Sequence, residues 1–197
     1  MTNDELLQAA WERFDRINAT DPTQLEFEGR LQPQELVRAR QLTQWLERIA
    51  PQASLALRLA SRCQHLGRFE VPRSSYPEGR VGYLTWRKEL SRIHADRAGA
   101  ILAELGAPDE LKAAVRSINL KLDPRGNPEV QTMEDALCLS FLEHEFVPFI
   151  ERWDDETVVG IVQKTWRKMS EHGHQTALGL PLSGRALELV QRALAPS

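Results

Sequence analysis

Apolar residues recur every three or four positions along most of the chain, which is the spacing of amphipathic helices. The first helix is predicted to begin at Asn3 or Asp4, since either side chain can cap it. Its apolar stripe comprises Leu7, Ala10, Trp11, Phe14 and Ile17. The same spacing predicts further helices at about residues 33–49, 51–65, 82–105, 111–120, 133–150, 158–169 and 185–194.

Strand-like alternation is confined to residues 24–28, a short stretch that ends at Gly29. No internal repeat and no low-complexity segment interrupts the helical pattern. A length of 197 residues suits one domain, and 42 % hydrophobic residues suffice for a packed core. We therefore predict an all-α fold, a bundle of seven to nine helices in a single domain over residues 1–197. Pro148 is expected to end or kink its central helix, residues 133–150.

A long loop is predicted at about residues 66–82, where proline, glycine and serine cluster. Loops of that length are more often functional than accidental. Residues 62–97 around it hold eight bases and four acids, a net charge of +4, whereas the whole chain carries −3. Seven of these eight bases are arginine, whose planar fork grips phosphate or carboxylate with two hydrogen bonds.

Aromatic side chains lie among these arginines, and a second basic group shares one helix face beside Trp166. Arginine with interleaved aromatics suits a nucleotide or another flat anion. The predicted ligand-binding residues are Arg62, Arg68, Arg73, Tyr76, Arg80, Tyr83, Arg87, Lys164 and Lys168. Two alternatives stay open, since the arginines can pair with acids or lie in solvent, or they can bind a protein partner.

The overall composition narrows the function further. A net charge of −3 disfavours RNA, because the acids outside the loop region would repel a long polyanion. Two cysteines, Cys63 and Cys138, exclude a disulfide scaffold and a cysteine-rich metal site. No apolar run has the length of a membrane span, and no signal-peptide pattern opens the chain. We expect a cytoplasmic protein, a monomer or a homodimer, without a membrane partner.

Histidines and acids on separate helices supply candidate metal ligands. His65, His94 and Asp135 lie on three predicted helices, and a bundle can gather such residues in its core. Acids such as Glu134 and Asp135 in so apolar a helix need an arginine or a cation to offset their burial. Each histidine alone is better explained as a hydrogen-bonded core residue than as a metal ligand, since no local metal-binding spacing is present.

Residues 60–68 are similar to the HD-domain stretch in which a His-Asp doublet ends a helix and a glycine follows. Residues 94–106 resemble the next HD-family helix, which often begins with a metal-linked histidine, and Asp135 falls at the family's last metal-binding aspartate. The resemblance implies an all-α bundle and metal-dependent phosphoester hydrolysis. The chain departs from the pattern at the doublet, which here consists of Gln64 and His65, and at Glu35, where the family has its first histidine.

A second resemblance covers nearly the whole chain and points to the family described as a domain of unknown function, DUF4202. The motifs that carry it are residues 61–65, 72–77 and 80–87, His94, Glu134 with Asp135, and residues 141–143 and 164–170. The family implies no activity of its own.

Two hypotheses follow from these observations. The first is a module that binds a phosphate-bearing or other anionic small ligand, nucleotide-like in chemistry, on an HD-like scaffold that has lost its metal. The second is a metal-dependent phosphohydrolase that acts on a nucleotide or small phosphoester. In the second, His65, His94 and Asp135, with Glu35 or Glu143, bind Mn, Fe, Zn or Ni. Glu134 and Asp135 are then the catalytic acids, with Glu134 as general base or as a residue that orients a histidine.

Overall fold

The computed structural model describes residues 1–124 and 126–195, and within them the chain is predominantly helical. A single small two-stranded sheet is the only β-structure in these ranges, so the predicted all-α class is confirmed. The chain divides into two compact units, Met1–Val130 and Gln131–Ser197. Each unit is described by itself below, and the expectation of one domain stays a prediction.

The first unit opens with α1 (Asn3–Asn18), a hairpin and α2 (Gln34–Ile49). Helix α1 begins with a reciprocal cap, in which the Thr2 hydroxyl accepts from the Glu5 N–H and the Glu5 carboxylate accepts from the Thr2 N–H. The hairpin pairs β1 (Gln24–Phe27) antiparallel with β2 (Arg30–Pro33). Its two turn residues, Glu28 and Gly29, have φ values of 52° and 72°. Positive φ at both positions is the geometry of a type I′ turn, which matches strand twist.

The rest of the first unit consists of α3 (Leu55–Cys63), α4 (Gly79–Glu104) and α5 (Asp109–Asn119). Between α3 and α4 the chain makes two short 3-10 turns, Arg68–Glu70 and Arg73–Ser75. Helix α3 packs against α1, α2 and α5, and α4 packs against α5. The core of the unit is built from fully buried side chains on the helices and on the turn after α3, namely Leu7, Phe14, Val37, Leu46, Leu59, Leu66, Leu102, Val115 and Ile118.

The second unit contains most of α6 (Pro128–Ser140), a π-helical turn, and four further helices. The π-helical turn spans Phe141–Glu145 and leads directly into α7. The helices after it are α7 (Phe146–Ile150), α8 (Asp155–Trp166), α9 (Glu171–Leu178) and α10 (Gly184–Leu194). Helix α10 packs against α8 and α7. The buried side chains of the second unit include Met133, Leu139, Phe146, Val158, Val162 and Leu189.

The element boundaries differ from the sequence predictions at three places. Ser54, rather than Pro51, marks the start of α3, because its hydroxyl accepts from the Leu57 N–H. Helix α4 begins at Gly79, inside the stretch predicted as loop. Pro148 lies within α7, and the irregularity falls one turn earlier in the π-helical turn. Proline has no N–H for the carbonyl four residues before it, so the backbone adjusts on that side.

Both cysteines are buried, and neither forms a disulfide. The Cys63 thiol on α3 accepts a hydrogen bond from Asn119 Nδ2 at 3.3 Å, and burial raises its pKa to about 12. Cys138 lies on α6 in the second unit. Burial therefore distinguishes both cysteines from reactive thiols, which are exposed.

Among the helices of residues 1–124 and 126–195, none combines the length and the apolar character needed to span a bilayer.

Candidate functional site

A cluster of ionisable side chains lies inside the first unit, formed by Glu35 on α2, His65 just after α3 and His94 on α4. The His65 Nδ1 atom lies 3.9 Å from Glu35 Oε2. The rings of His65 and His94 meet edge to face with centroids 6.4 Å apart. The fold thus gathers two of the predicted metal-binding residues with Glu35, one of the two alternative further ligands, which stands where the HD resemblance expects a histidine. We call these three residues the His65 cluster.

His94 is held in one orientation by the backbone. It is buried, and its Nδ1 lies 2.9 Å from the Leu66 carbonyl oxygen. A carbonyl only accepts, so Nδ1 carries the proton, and in the neutral ring Nε2 keeps a free lone pair. Burial lowers the pKa of His94 to about 4, although the Leu66 hydrogen bond opposes the shift. At neutral pH His94 is therefore an uncharged acceptor at Nε2.

The pKa values of Glu35 and His65 depart from their ordinary values in opposite directions. Burial, together with the positive charge of Arg68, lowers the pKa of His65 well below 6.5. Burial raises the pKa of the Glu35 carboxyl above 4.5, and Arg38 and Arg68 oppose this. Glu35 Oε1 accepts from Arg38 Nη1 at 3.1 Å, whereas Oε2 has no hydrogen-bond partner within the described ranges. Uncharged imidazoles therefore lie beside a buried carboxyl in the His65 cluster.

The lowered pKa of His94 predicts a pH-dependent stability. The His94 pKa is about 4 in the folded state and 6.5 in the unfolded chain. Its contribution to the free energy of unfolding is therefore fully present above pH 6.5, where the ring is neutral in both states. That contribution is lost as the pH falls from 6.5 towards 4, because the unfolded chain then binds the extra proton. His94→Asn keeps an amide donor for Leu66 but cannot titrate. At pH 5 we expect this variant to take up about one proton fewer than wild type when it unfolds.

Urea unfolding of wild type and variant at closely spaced pH values between 4.5 and 7 measures that uptake as a slope. The exposed His172→Asn serves as control and is expected to leave the slope as it is. An unchanged slope in His94→Asn would contradict the assignment.

Arg68 lies next to the His65 cluster and differs from the other arginines of the predicted loop. Its guanidinium carbon sits 5.1 Å from the centre of the Trp86 ring. The Trp86 indole is buried and fixed by a 2.9 Å hydrogen bond from its N–H to the Val71 carbonyl. Within residues 1–124 and 126–195 Arg68 makes no ion pair. Its hydrogen-bonding edge is thus held by stacking and is not used by a carboxylate.

Two other predicted ligand-binding arginines contact the protein itself. Arg62 Nε donates to Asp15 Oδ1 at 2.9 Å, and its guanidinium stacks over Trp11 at 4.8 Å. Arg73 donates to the backbone carbonyls of Tyr76 and Pro77 at 2.9 and 2.8 Å, and also to that of Gly79. These bonds tie α1 to α3 and shape the chain before α4.

The remaining predicted contacts of the first unit lie on or just before the first turns of α4. Tyr83 and Arg87 are exposed, and the Arg87 guanidinium lies 5.8 Å from the Tyr83 ring centre. Arg80 is exposed on the same helix. The Tyr76 hydroxyl donates to Glu89, and loss of solvent contact together with this bond raises its pKa. These side chains form a mixed aromatic and cationic surface, and their role in ligand binding stays a prediction.

Asp135 lies on α6 in the second unit, where its carboxylate has three donors. Oδ1 accepts from the Ser170 N–H at 2.7 Å and from Gln131 Nε2 at 3.1 Å, and Oδ2 accepts from the Ser170 hydroxyl at 2.5 Å. The same Ser170 hydroxyl accepts from the Gly173 N–H and so caps α9. Asp135 thus joins α6 to the start of α9.

The other predicted residues of the second unit are placed as follows. Glu134 is buried on α6, whereas Lys164 on α8 and Lys168 just after it are exposed. Glu143 belongs to the π-helical turn and lies 3.0 Å from His144 Nε2. In residues 1–124 and 126–195, no three histidine, cysteine, aspartate or glutamate side chains are arranged to hold a metal ion. The metal site of His65, His94 and Asp135 stays a prediction.

Sequence reasoning missed the polar residues that support the His65 cluster. Asp21 is buried and accepts from the Glu35 N–H at 3.0 Å, which anchors the start of α2. Asn18 is fully buried at the end of α1 and accepts from the Gly67 N–H at 3.0 Å. Gln64, which the sequence showed as a departure from the HD doublet, donates to Asn119 at 2.7 Å, and this partner was not foreseen. A polar residue at an apolar helix position, as Asn18 is, was the available signal.

The chain was compared with known proteins in three ways. A search of the curated proteins and a search of the solved structures each found no match. The family model described as Domain of unknown function (DUF4202) matches residues 8–190. That range includes the His65 cluster, Arg68 and Asp135, and it agrees with the motifs noted in the sequence. The chain therefore belongs to the DUF4202 family.

Proposed function

We propose that the protein binds a small phosphate-bearing or otherwise anionic ligand, nucleotide-like in its chemistry, on a scaffold related to the HD domain. The anionic group of the ligand contacts Arg68, beside His65 and His94. The observation that carries the proposal is the stacked Arg68 guanidinium, which makes no ion pair within residues 1–124 and 126–195.

Stacking on Trp86 favours anion binding because it limits the motion of the guanidinium before a ligand arrives. An arginine whose plane is fixed loses less side-chain entropy when its fork meets two oxygens. Arg62, Arg73 and Arg97 already have partners, and Arg97 pairs with Glu70 at 2.6 Å. Arg68 is thus the arginine between α3 and α4 that is best placed to meet a phosphate.

The uncharged imidazoles support the same proposal. The positive charge of Arg68 contributes to the lowered pKa values of both His65 and His94. An anion that neutralises Arg68 removes this cause of the lowered pKa values, and the neutral His65 ring can donate its one N–H to a phosphate oxygen, whereas the N–H of His94 is already used by the Leu66 carbonyl. The site therefore offers a stacked guanidinium and polar neighbours, with Arg38 and Lys121 as further positive charges that act on His65, and a set of this size suits a small anion better than RNA.

The test measures the binding of ADP, pyrophosphate and uncharged adenosine to the full chain by calorimetry and by thermal shift. We expect ADP and pyrophosphate to bind and adenosine to bind much more weakly. Arg68→Gln is expected to weaken ADP binding about tenfold or more, since a hydrogen bond to a charged group contributes about 1.5–3 kcal/mol. Arg152→Gln, an exposed arginine of the second unit, is the matched control.

Binding of ADP to Arg68→Gln as tightly as to wild type would refute the proposed site. Failure of both ADP and pyrophosphate to bind wild type at millimolar concentration would refute the function itself.

A second candidate function is metal-dependent phosphoester hydrolysis, and one observation favours it. The Nδ1–H of His94 is held by the Leu66 carbonyl, so Nε2 presents a lone pair in a fixed direction. Metal-binding histidines commonly have this arrangement, because the backbone bond fixes tautomer and ring orientation. Elemental analysis of untagged protein separates the two candidates, since only the hydrolase requires a stoichiometric metal and metal-stimulated turnover.

A further inference from the structure

A groove of about 330 Å³ lies in the first unit between α4 and the C-terminal end of α5. Its lining residues are Lys88, Ser91, Arg92, Arg116, Leu120 and Leu122. This volume falls at the lower end of small-molecule sites, which span roughly 300–1,000 Å³. The groove is thus large enough for a compact organic ligand and tight for a nucleotide.

The charged side chains of the groove are all basic. Arg116 forms an ion pair with Asp96. Lys88 and Arg92 make no ion pair in the part of the chain that the structure describes. Both are exposed on successive turns of α4, so their charges reinforce each other along one wall. Two acids, Glu89 and Asp96, adjoin Lys88 and Arg92 outside the groove, so three bases outnumber two acids and a ligand in the groove meets a net positive charge.

Leu120 and Leu122 supply an apolar wall on the α5 side. Leu122 is an apolar residue, yet 52 % of its surface is exposed. Hydrogen bonds of the backbone fix its position. Its N–H donates to the Ser117 carbonyl at 3.0 Å, and the Lys121 N–H donates to that of Ile118 at 3.1 Å. This pair of bonds ends α5 in a Schellman motif, which holds Leu122 at the groove edge.

The backbone around Leu122 is strained. Lys121 and Asp123 on either side of it have φ values of 56° and 50°. A left-handed conformation costs an L-residue about 1–2 kcal/mol. The position of Lys121 in the Schellman motif usually holds glycine. Strain of this kind concentrates at functional sites, where the surroundings fix a side chain for a ligand. Here it fixes an exposed leucine beside two cations without ion pairs.

We propose that this groove is a second ligand site, which binds a monocarboxylate with an aliphatic body. The carboxylate lies against Lys88 and Arg92, and the apolar body covers Leu120 and Leu122. The proposal does not depend on the proposed function, because none of these residues belongs to the His65 cluster or contacts Arg68. It explains the basic wall and the held leucine together, which an inorganic anion would not do.

The test uses three probes on the full chain: octanoate, octylamine and acetate. Octanoate joins a carboxylate to an apolar chain, octylamine carries the same chain with a positive charge, and acetate has the charge without the chain. We expect octanoate to bind at least tenfold more tightly than either of the others, as measured by NMR chemical shifts during titration. Equal binding of octanoate and octylamine, or no octanoate binding at millimolar concentration, would overturn the proposal.

Variants then locate the site. Arg92→Gln is expected to weaken octanoate binding fivefold to tenfold, and Leu122→Ser to weaken it to a similar extent. Arg152→Gln and Arg68→Gln are expected to leave it unchanged. Both groove positions are at the surface, so the variants are expected to fold. Wild-type affinity in Arg92→Gln would overturn the site, and loss of octanoate binding in Arg68→Gln would move the carboxylate to the other site and overturn it as well.

Discussion

Asp135→Ala is expected to lower the free energy of unfolding by about 3 kcal/mol, because it removes the acceptor of three hydrogen bonds. A hydrogen bond to a charged acceptor contributes about 1.5–3 kcal/mol, and the three bonds share one carboxylate, so they do not add fully. The Ser170 N–H and hydroxyl lose their partner at the start of α9. Urea unfolding followed by circular dichroism measures the change.

Asp155→Ala is the matched control in the same unit. Asp155 also accepts from an arginine, Arg185, at 2.5 Å, but 49 % of its side chain is exposed. Exposed ion pairs contribute less than about 1 kcal/mol, so this variant should be close to wild type. Equal losses in the two variants would show that the buried bonds of Asp135 add nothing. A metal-binding role would add loss of bound metal to Asp135→Ala, which elemental analysis measures separately.

Gly82→Ala is expected to destabilise the protein by about 3 kcal/mol, at the upper end for overpacking. A Cβ atom at Gly82 would lie 1.9 Å from the Pro77 carbonyl oxygen and 2.8 Å from its carbon. Both atoms are backbone, so the clash cannot be relieved by a side-chain rotation. The same carbonyl accepts from Arg73 at 2.8 Å, so the new methyl group pushes against a segment that is held in place.

Gly99→Ala, on the same helix, is the control and should change stability in the opposite direction. A Cβ atom at Gly99 meets nothing within 4 Å. Alanine there gains about 0.5–1 kcal/mol, because glycine is a poor helix former. Hydrogen exchange of residues 67–78 shows whether Gly82→Ala loosens only the segment before α4. The prediction fails when both variants shift stability in the same direction.

The apolar spacing along the chain was sufficient to predict most helices, because buried faces of amphipathic helices repeat at a fixed period. Residues 24–28, the sole strand-like stretch, contain β1. The start of α1 was predicted one or two residues late, since the Thr2 cap depends on a bond to Glu5 rather than on the apolar stripe. Local chemistry of this type is visible in the sequence once it is sought.

Helix α9 could not be predicted from apolar spacing. Its eight residues include His172, Gly173 and His174, so the segment looks polar. The helix is set by contacts from outside it, namely the Ser170 cap with its bond to Asp135 and the His174 ring. That ring stacks on Trp166 with centroids 4.2 Å apart. Such contacts join residues 8 to 35 positions apart, which no local pattern encodes.

The candidate site could be predicted in part. His65 and His94 were selected as residues on separate helices that a bundle can gather, and the fold places their rings 6.4 Å apart. The partners of the arginines could not be deduced, because Arg62 meets Asp15 across 47 positions and Arg68 meets Trp86 through the tertiary fold. Which arginines form ion pairs is a property of packing rather than of composition.

The two buried thiols have a practical consequence. Each compact unit holds one cysteine, Cys63 in the first and Cys138 in the second. An alkylating reagent reaches a buried thiol only when the surrounding structure opens, and a protonated thiol is a poor nucleophile. The rates at which the two thiols are alkylated, measured by mass spectrometry on the unmodified chain, therefore report the opening of each unit separately, with no engineered label.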